Sequence, residues 1–182
     1  GNVRDAERLV KAARDAGVVL AVGHIERHNA VVDSARRHLQ AGDWGALITG
    51  GARRVSNFPD RVRDVGVVMD LAIHDIDILR YLVESKVASV YAVGGRQRHD
   101  LFEDHATILM NFENGVNGYV EVNWLTPMKV RKLSLTCSLN YVELDYTAQT
   151  MTISSATLGQ LDPFNLYQIP FDYDIRHVSL KK

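Results

Sequence analysis

The segment from Val67 to Leu82, VVMDLAIHDIDILRYL, places Asp70, His74, Asp75 and Asp77 within eight positions of an otherwise largely apolar run. Three kinds of chemistry suit that set. An imidazole steered by a carboxylate can take or give a proton near neutrality. Asp and His at i and i+4 of a helix can present two metal ligands, with a third drawn from elsewhere. The same pair can hydrogen-bond and simply fix the helix edge. At about 100° per residue, Asp70, His74, Asp77 and Tyr81 share a stripe about 60° wide. Met69, Ala72, Ile76, Leu79 and Val83 fill a second arc, and Leu71, Ile78 and Leu82 a third. The pattern predicts a helix buried on two sides with a narrow polar edge. Asp75 falls among the apolar residues and is predicted to be a structural carboxylate paired with Arg53 or Arg54. For a metal, His24, His28, His99 or His105 would have to supply the third ligand, and no spacing brings any of them to the stripe; none is predicted.

The elements that must position this helix follow from periodicity. NVRDAERLVKAARDAG reads as a helix with Asn2 as N-cap and Gly17 as its left-handed stop. Its Val3, Ala6, Leu9, Val10 and Ala13 recur at helical spacing, as if to face a sheet. VVLAV, residues 18–22, has the continuous apolar pattern of a parallel strand buried on both faces. Helix then strand is the tail of a βαβ unit, so residues 1–28 are predicted to be the remnant of a parallel α/β domain. A second helix is expected over Ala30–Ala41. A strand follows in ALITGGARRVSNF, where Gly50–Gly51 predicts a bulge or a close backbone approach.

From Val87 onward, short strand candidates alternate with turns, and Asn114–Gly115 is a strong hairpin signal. Val116, Val120, Val122 and Trp124 alternate with Asn117, Tyr119, Glu121 and Asn123, giving one face to a core and one to water or a partner. Residues 29–182 are therefore expected to form an α+β domain: a mostly antiparallel open sheet covered on one face by helices.

Composition narrows the class. The chain has 21 Lys and Arg against 22 Asp and Glu, which points away from nucleic acid or an anionic membrane as partner. No apolar run approaches the roughly 20 residues of a membrane-spanning helix. One cysteine, Cys137, rules out an intramolecular disulfide and suggests a reducing, cytoplasmic setting.

Three segments, in order, resemble the Gfo/Idh/MocA oxidoreductases. VLAVGHIERHN is similar to the crossover from their dinucleotide-binding domain. DVGVVMDLAIHDIDILRYL is similar to their catalytic helix, G-x3-D-x3-H-x2-D, and GYVEVNWLTPMKVRKL to strands lining the substrate side. Within the family, RRVSNFPDRVRDVGVVMDLAIHDIDI is most similar to members that oxidise the 3-hydroxyl of UDP-linked N-acetylhexosamines. The resemblance implies hydride transfer between a sugar or nucleotide-sugar carbon and NAD or NADP. It implies His74 as acid/base, Asp70 as its partner, and Asp77 as a substrate contact. Arg53, Trp124, Lys129 and Arg131 become substrate-binding candidates, and Arg27 and Asn29 candidates for touching nicotinamide. Arg61 and Arg63, with Arg53, would suit a substrate diphosphate.

The sequence also departs from the family. The Gly-rich nucleotide loop, the acidic residue that reads the ribose and the Glu-Lys-Pro lysine are not in these residues, and TCSLNY has Ser138 and Asn140 where many members carry glycines. The chain is expected to be the substrate half of such an enzyme, inactive by itself, and to form homo-oligomers, a dimer first of all, through the open sheet face. The competing expectation is a non-catalytic oligomerisation module with a structural Asp–His pair.

Overall fold

Alternating apolar residues give a strand one dry and one wet face. Among the described residues eight strands join in a single sheet, the inner ones with that alternation and the two edge strands exposed along nearly their whole length. The computed structural model describes residues 2–59, 62, 64–158 and 171–180. The strands are β1 (Leu47–Asn57), β2 (Val87–Gly95), β3 (His105–Phe112), β4 (Asn117–Asn123), β5 (Leu125–Cys137), β6 (Tyr141–Asp145), β7 (Thr150–Leu158) and β8 (Phe171–Ser179). Their spatial order is β2-β3-β4-β1-β5-β6-β7-β8. Every neighbouring pair is antiparallel except β1 with β4. The chain enters the sheet at its centre, through β1, and adds a meander on each side.

Among the described residues five helical segments accompany the sheet: α1 (Val3–Asp15), a 3-10 turn (Ile25–His28), α2 (Ala30–Ala41), and a π-helical turn (Val68–Ala72) that runs directly into α3 (Ile73–Val83). Helices α2 and α3 cover the dry face. Val31, Val32 and Ala35 of α2 and Ile78, Leu79 and Leu82 of α3 are buried with Val120, Val122, Leu133, Leu135, Val142 and Leu144 of the sheet. Each such large side chain contributes roughly 1.5–3 kcal/mol by leaving water. Helix α3 sits close because β1 has no side chain beneath it at Gly50, where a Cβ would lie 2.7 Å from Leu79 Cδ2. On the wet face, a Cβ at Gly51 would run into the Tyr119 ring. The close approach expected at these glycines is thus present, but the bulge is not. Both pair in regular register, and the irregularities fall near the two ends of β1.

The predicted caps form. Asn2 Oδ1 accepts from the Asp5 N–H at 3.0 Å, Gly17 is left-handed, and Gly115 turns the β3–β4 hairpin with φ 86°. The Ser138–Asn140 turn contains no positive φ, so its backbone does not require a glycine.

One expected element is not formed. Residues 18–22 are not a strand but an exposed coil, with Val19 94% exposed, and α1 buries none of its residues. A buried parallel strand exists only where neighbours hydrogen-bond it on both edges, and the described residues offer 18–22 no such neighbour. The apolar pattern of 3–22 is intact, but what would cover it lies outside these contacts.

Candidate active site

The helix carrying Asp70 and His74 starts without a side-chain cap of its own. A loop between β2 and β3 supplies one. Glu103 accepts from the Val67 N–H through its backbone oxygen (2.9 Å) and from the Val68 N–H through its carboxylate (3.2 Å). A carboxylate there also meets the positive end of the helix dipole. Gly66 makes room for it, since any Cβ would overlap the Glu103 carboxylate. The loop is anchored by Asp104, which is fully buried. Its Oδ2 accepts from the backbone N–H groups of Gln97, Arg98 and His99 at 2.8, 2.6 and 3.1 Å, and its Oδ1 meets His105 Nδ1 at 2.9 Å. Its backbone oxygen holds the Trp124 N–H at 2.9 Å. One carboxylate therefore fixes both the helix start and the strand end that border the site.

Burial alone would raise the Asp104 carboxyl, but the three backbone donors and His105 outweigh it and hold the group far below the usual carboxylate range. Asp104 therefore stabilises the fold at pH values above the ordinary carboxylate pKa of 3.8, and that contribution disappears as pH falls below it. Asp104→Ala is expected to cost at least about 1.5–3 kcal/mol at pH 7. Urea midpoints of variant and parent should converge on acidification.

Asp70 lies in the π turn, where the Ile73 N–H reaches back to Val68 O. Such turns insert one residue into a helix and recur at functional sites. Asp70 lines a cavity of about 190 Å³ together with Arg54, Ser56, Trp124, Lys129 and Arg131. Trp124 is completely buried, with Phe58 edge-on at 5.5 Å, and its Nε1 has no hydrogen-bond partner among the described residues. His74, half-buried one turn beyond Asp70, likewise has its Nδ1 buried without a partner among the described residues. The Asp70–His74 hydrogen bond allowed for above is not formed, and His74 itself does not line the cavity. A buried polar atom left unpaired is costly and calls for a partner.

Behind the cavity lies a buried charge network. Arg54 donates to Asp75 through Nε (2.6 Å) and Nη2 (3.1 Å), and to Glu26 through Nη1 (2.9 Å). Asp75 is the predicted structural carboxylate, and of its two candidate partners Arg54 is the one used. Burial disfavours the Arg54 charge, but the two carboxylates outweigh it and hold the guanidinium protonated. Burial raises the Asp75 carboxyl, and Arg54 opposes that rise. Glu26 is held below its usual range because Arg54 overcomes its desolvation. The buried Tyr146 phenol is pushed well up, first by desolvation and then by the Asp75 charge.

The remaining sequence candidates divide. Asp70, Trp124, Lys129 and Arg131 converge on one cavity. Asp77 and Arg27 instead bind each other, with Arg27 Nε and Nη2 donating to the carboxylate at 2.7 and 2.6 Å, while His24 Nδ1 lies 3.5 Å away. Both were expected to meet substrate or cofactor; here a buried Asp77 and a partly exposed Arg27 pair with each other and tie the crossover turn to α3. Asn29 is similarly occupied: its Oδ1 accepts from the Val31 N–H and from Gln149 Nε2, and its Nδ2 donates to Glu26 and Tyr146 O. Arg53 lies on the other sheet face, paired with Glu121 at 3.1 Å, because adjacent strand residues alternate and Arg54 takes the helix side. Arg61 and Arg63 lie outside the described residues.

Sequence reasoning passed over Glu26, whose signal was its place in ERHN beside Arg27, and Ser56, which had none. Cys137 is buried and its thiol is pushed up to about 11 by desolvation. Among the described residues no group of three or more His, Cys, Asp or Glu converges as metal ligands, and no helix is long and apolar enough to cross a membrane.

An open α+β sheet whose helix presents an Asp–His pair beside a polar cavity defines the C-terminal domain of an oxidoreductase family. Residues 32–143 match the GFO/IDH/MocA C-terminal domain, and the chain belongs to that family. UDP-N-acetylglucosamine 3-dehydrogenase of Acidithiobacillus ferrooxidans is 30% identical over 152 residues, covering 84% of this chain and 47% of that protein. Its solved structure matches with a TM-score of 0.75 at 28% identity, over 95% of this chain and 53% of that one. The WlbA dehydrogenase of Bordetella pertussis, solved with NADH and UDP-GlcNAcA, matches with a TM-score of 0.70 at 26% identity, over 78% and 47% of the two chains. The scyllo-inositol 2-dehydrogenase (NAD(+)) of Bacillus subtilis is 27% identical over 135 residues, 69% of this chain and 40% of that protein. The chain spans about half the length of the relatives it matches, or less.

Proposed function

We propose that this chain is the substrate-binding and catalytic half of an NAD(P)-dependent dehydrogenase acting on a hydroxyl of a sugar or nucleotide sugar. The observation that carries the reading is the meeting of Asp70, Lys129, Arg131 and Trp124 in one small cavity, with an unpaired buried His74 nitrogen on the next helical turn. Residues 29–182 are the substrate domain and residues 1–28 the end of a dinucleotide-binding domain, consistent with the exposed apolar face of α1. The described residues do not themselves fit a dinucleotide: Arg27 and Asn29 are spent on internal partners. By itself the chain is inactive, and the nicotinamide that accepts hydride is held by residues other than these, in a cytoplasmic protein.

This chain's residues hold the substrate hydroxyl and manage its proton. His74 receives it as the alcohol is oxidised and returns it in the reverse direction, while Asp70 orients the hydroxyl and the ring. The test is NAD(P)+ reduction by the full-length gene product with a panel of sugars and nucleotide sugars. Turnover that survives in Asp70→Asn and His74→Gln alike would remove both residues from the mechanism.

The wet sheet face completes the proposal as a contact between copies of this chain. Tyr91, Leu109 and Tyr119 stand in register across β2, β3 and β4, and each remains substantially exposed. Beside them the charges of Arg53 and Glu121, and of Lys132 and Glu143, are paired with each other. Tyr119→Glu is expected to shift the protein from dimer or larger to monomer by light scattering. A variant with unchanged mass would sink this part of the reading.

A further inference from the structure

We infer that the cavity at Asp70 reads an anionic group on its sugar ligand, a carboxylate or a phosphate, through Lys129 and Arg131. The inference rests on the site reading above and adds the substrate's charge. Arg54 and Arg131 are direct cross-strand partners in the β1–β5 register. Like charges so placed repel, and the carboxylate nearest both is that of Glu26. It serves Arg54 at 2.9 Å but reaches Arg131 only at 3.9 Å. Asp75 takes the other side of the Arg54 fork.

Arg54 is thus doubly paired while Arg131 is loosely held, and Lys129 has no ion pair among the described residues. Counted with the network behind the cavity, three cations (Arg54, Lys129, Arg131) face three carboxylates (Asp70, Asp75, Glu26), but Asp75 and Glu26 are drawn to Arg54, which leaves Lys129 and Arg131 at the cavity wall without a close counter-ion among the described residues. The indole N–H of Trp124, beside the cavity, is buried without an acceptor among the described residues. The Lys129 ammonium and Arg131 guanidinium suit an oxyanion, and the guanidinium fork matches a carboxylate or phosphate in two-point contact. At about 190 Å³ the cavity falls below the roughly 300–1,000 Å³ of a drug-sized site, so it seats one ring or head group. The ligand then spans from its hydroxyl at Asp70 to its anionic group at Lys129 and Arg131.

The indole N–H resonance of Trp124 reports on this directly. The chain has two tryptophans, and Trp44 is stacked on His38, so Trp44→Phe assigns the signals. Titration of this chain with glucuronate, glucose 1-phosphate and glucose is expected to move the Trp124 signal. At least one acidic sugar should bind ten-fold or more tighter than glucose, with affinity falling as salt rises. A preference for glucuronate assigns a carboxylate, and one for glucose 1-phosphate a phosphate ester. The surface substitutions Lys129→Gln and Arg131→Gln together should erase the preference without moving the thermal midpoint. Equal affinity for glucose, or a preference that survives both substitutions, overturns the anion reading but leaves a sugar site in place. No response to any probe also overturns it, and NAD(P)+ reduction by the full-length protein then decides the broader proposal separately.

Discussion

Asp75→Ala is expected to lower stability by about 3–5 kcal/mol, the cost of leaving one partner of a buried ion pair uncompensated. Asp75 is 1% exposed and gives Arg54 two of its three charge-assisted hydrogen bonds. Without it, a guanidinium held protonated keeps only Glu26, which lies in a different segment and sits close to Arg131 as well. Against a typical total of about 5–15 kcal/mol, such a loss shows as a large fall in the urea midpoint. Asp75→Asn preserves the shape and one acceptor, so it should cost less than alanine. A change under about 1 kcal/mol for the alanine variant would mean that Glu26 alone satisfies Arg54, a neutral hydrogen bond's worth being the remainder.

His74→Gln is expected to reduce NAD(P)+ reduction by the full-length gene product by about 10²–10⁴-fold, the usual contribution of a positioned acid/base. The thermal midpoint should move little, because the one buried polar atom concerned, Nδ1, makes no hydrogen bond in the fold. That contrast with Asp75, one position along the chain, is the sharpest consequence of the structure. On the proposed function, one neighbour carries stability and the other chemistry. A variant that keeps its turnover would remove His74 from the mechanism.

Much of this architecture is legible in the residues themselves. The alternation of Val116, Val120, Val122 and Trp124 places each on the buried side of the sheet. Asn114–Gly115 marks its hairpin, and Asn2 and Gly17 bound their helix, because these are local backbone preferences that need no distant partner. Periodicity also separates Asp75 from Asp70, since an i+5 position on a helix turns to a different side.

What depends on distant partners is another matter. Residues 18–22 have a strand's composition and no strand, because pairing is a property of neighbours rather than of sequence. Asp77 belongs to the polar stripe with Asp70, yet tertiary packing sets Arg27 on it at 2.6 Å. The π turn at Val68–Ala72 is not legible in the sequence: one inserted residue is worth about 100° of helical phase, but five residues are too few for the apolar pattern to reveal it. Arg53 and Arg54 are the same residue type side by side, and the sheet alone sends one to Asp75 and the other to Glu121 on the opposite face. The sequence by itself determined the elements, the two-faced sheet and the candidate Asp70 and His74, through short-range sterics and the burial of apolar side chains. Only the tertiary structure decided which charges neutralise one another, Arg54 with Asp75 and Glu26 and Arg27 with Asp77, because charge pairing depends on distances that sequence separation does not encode.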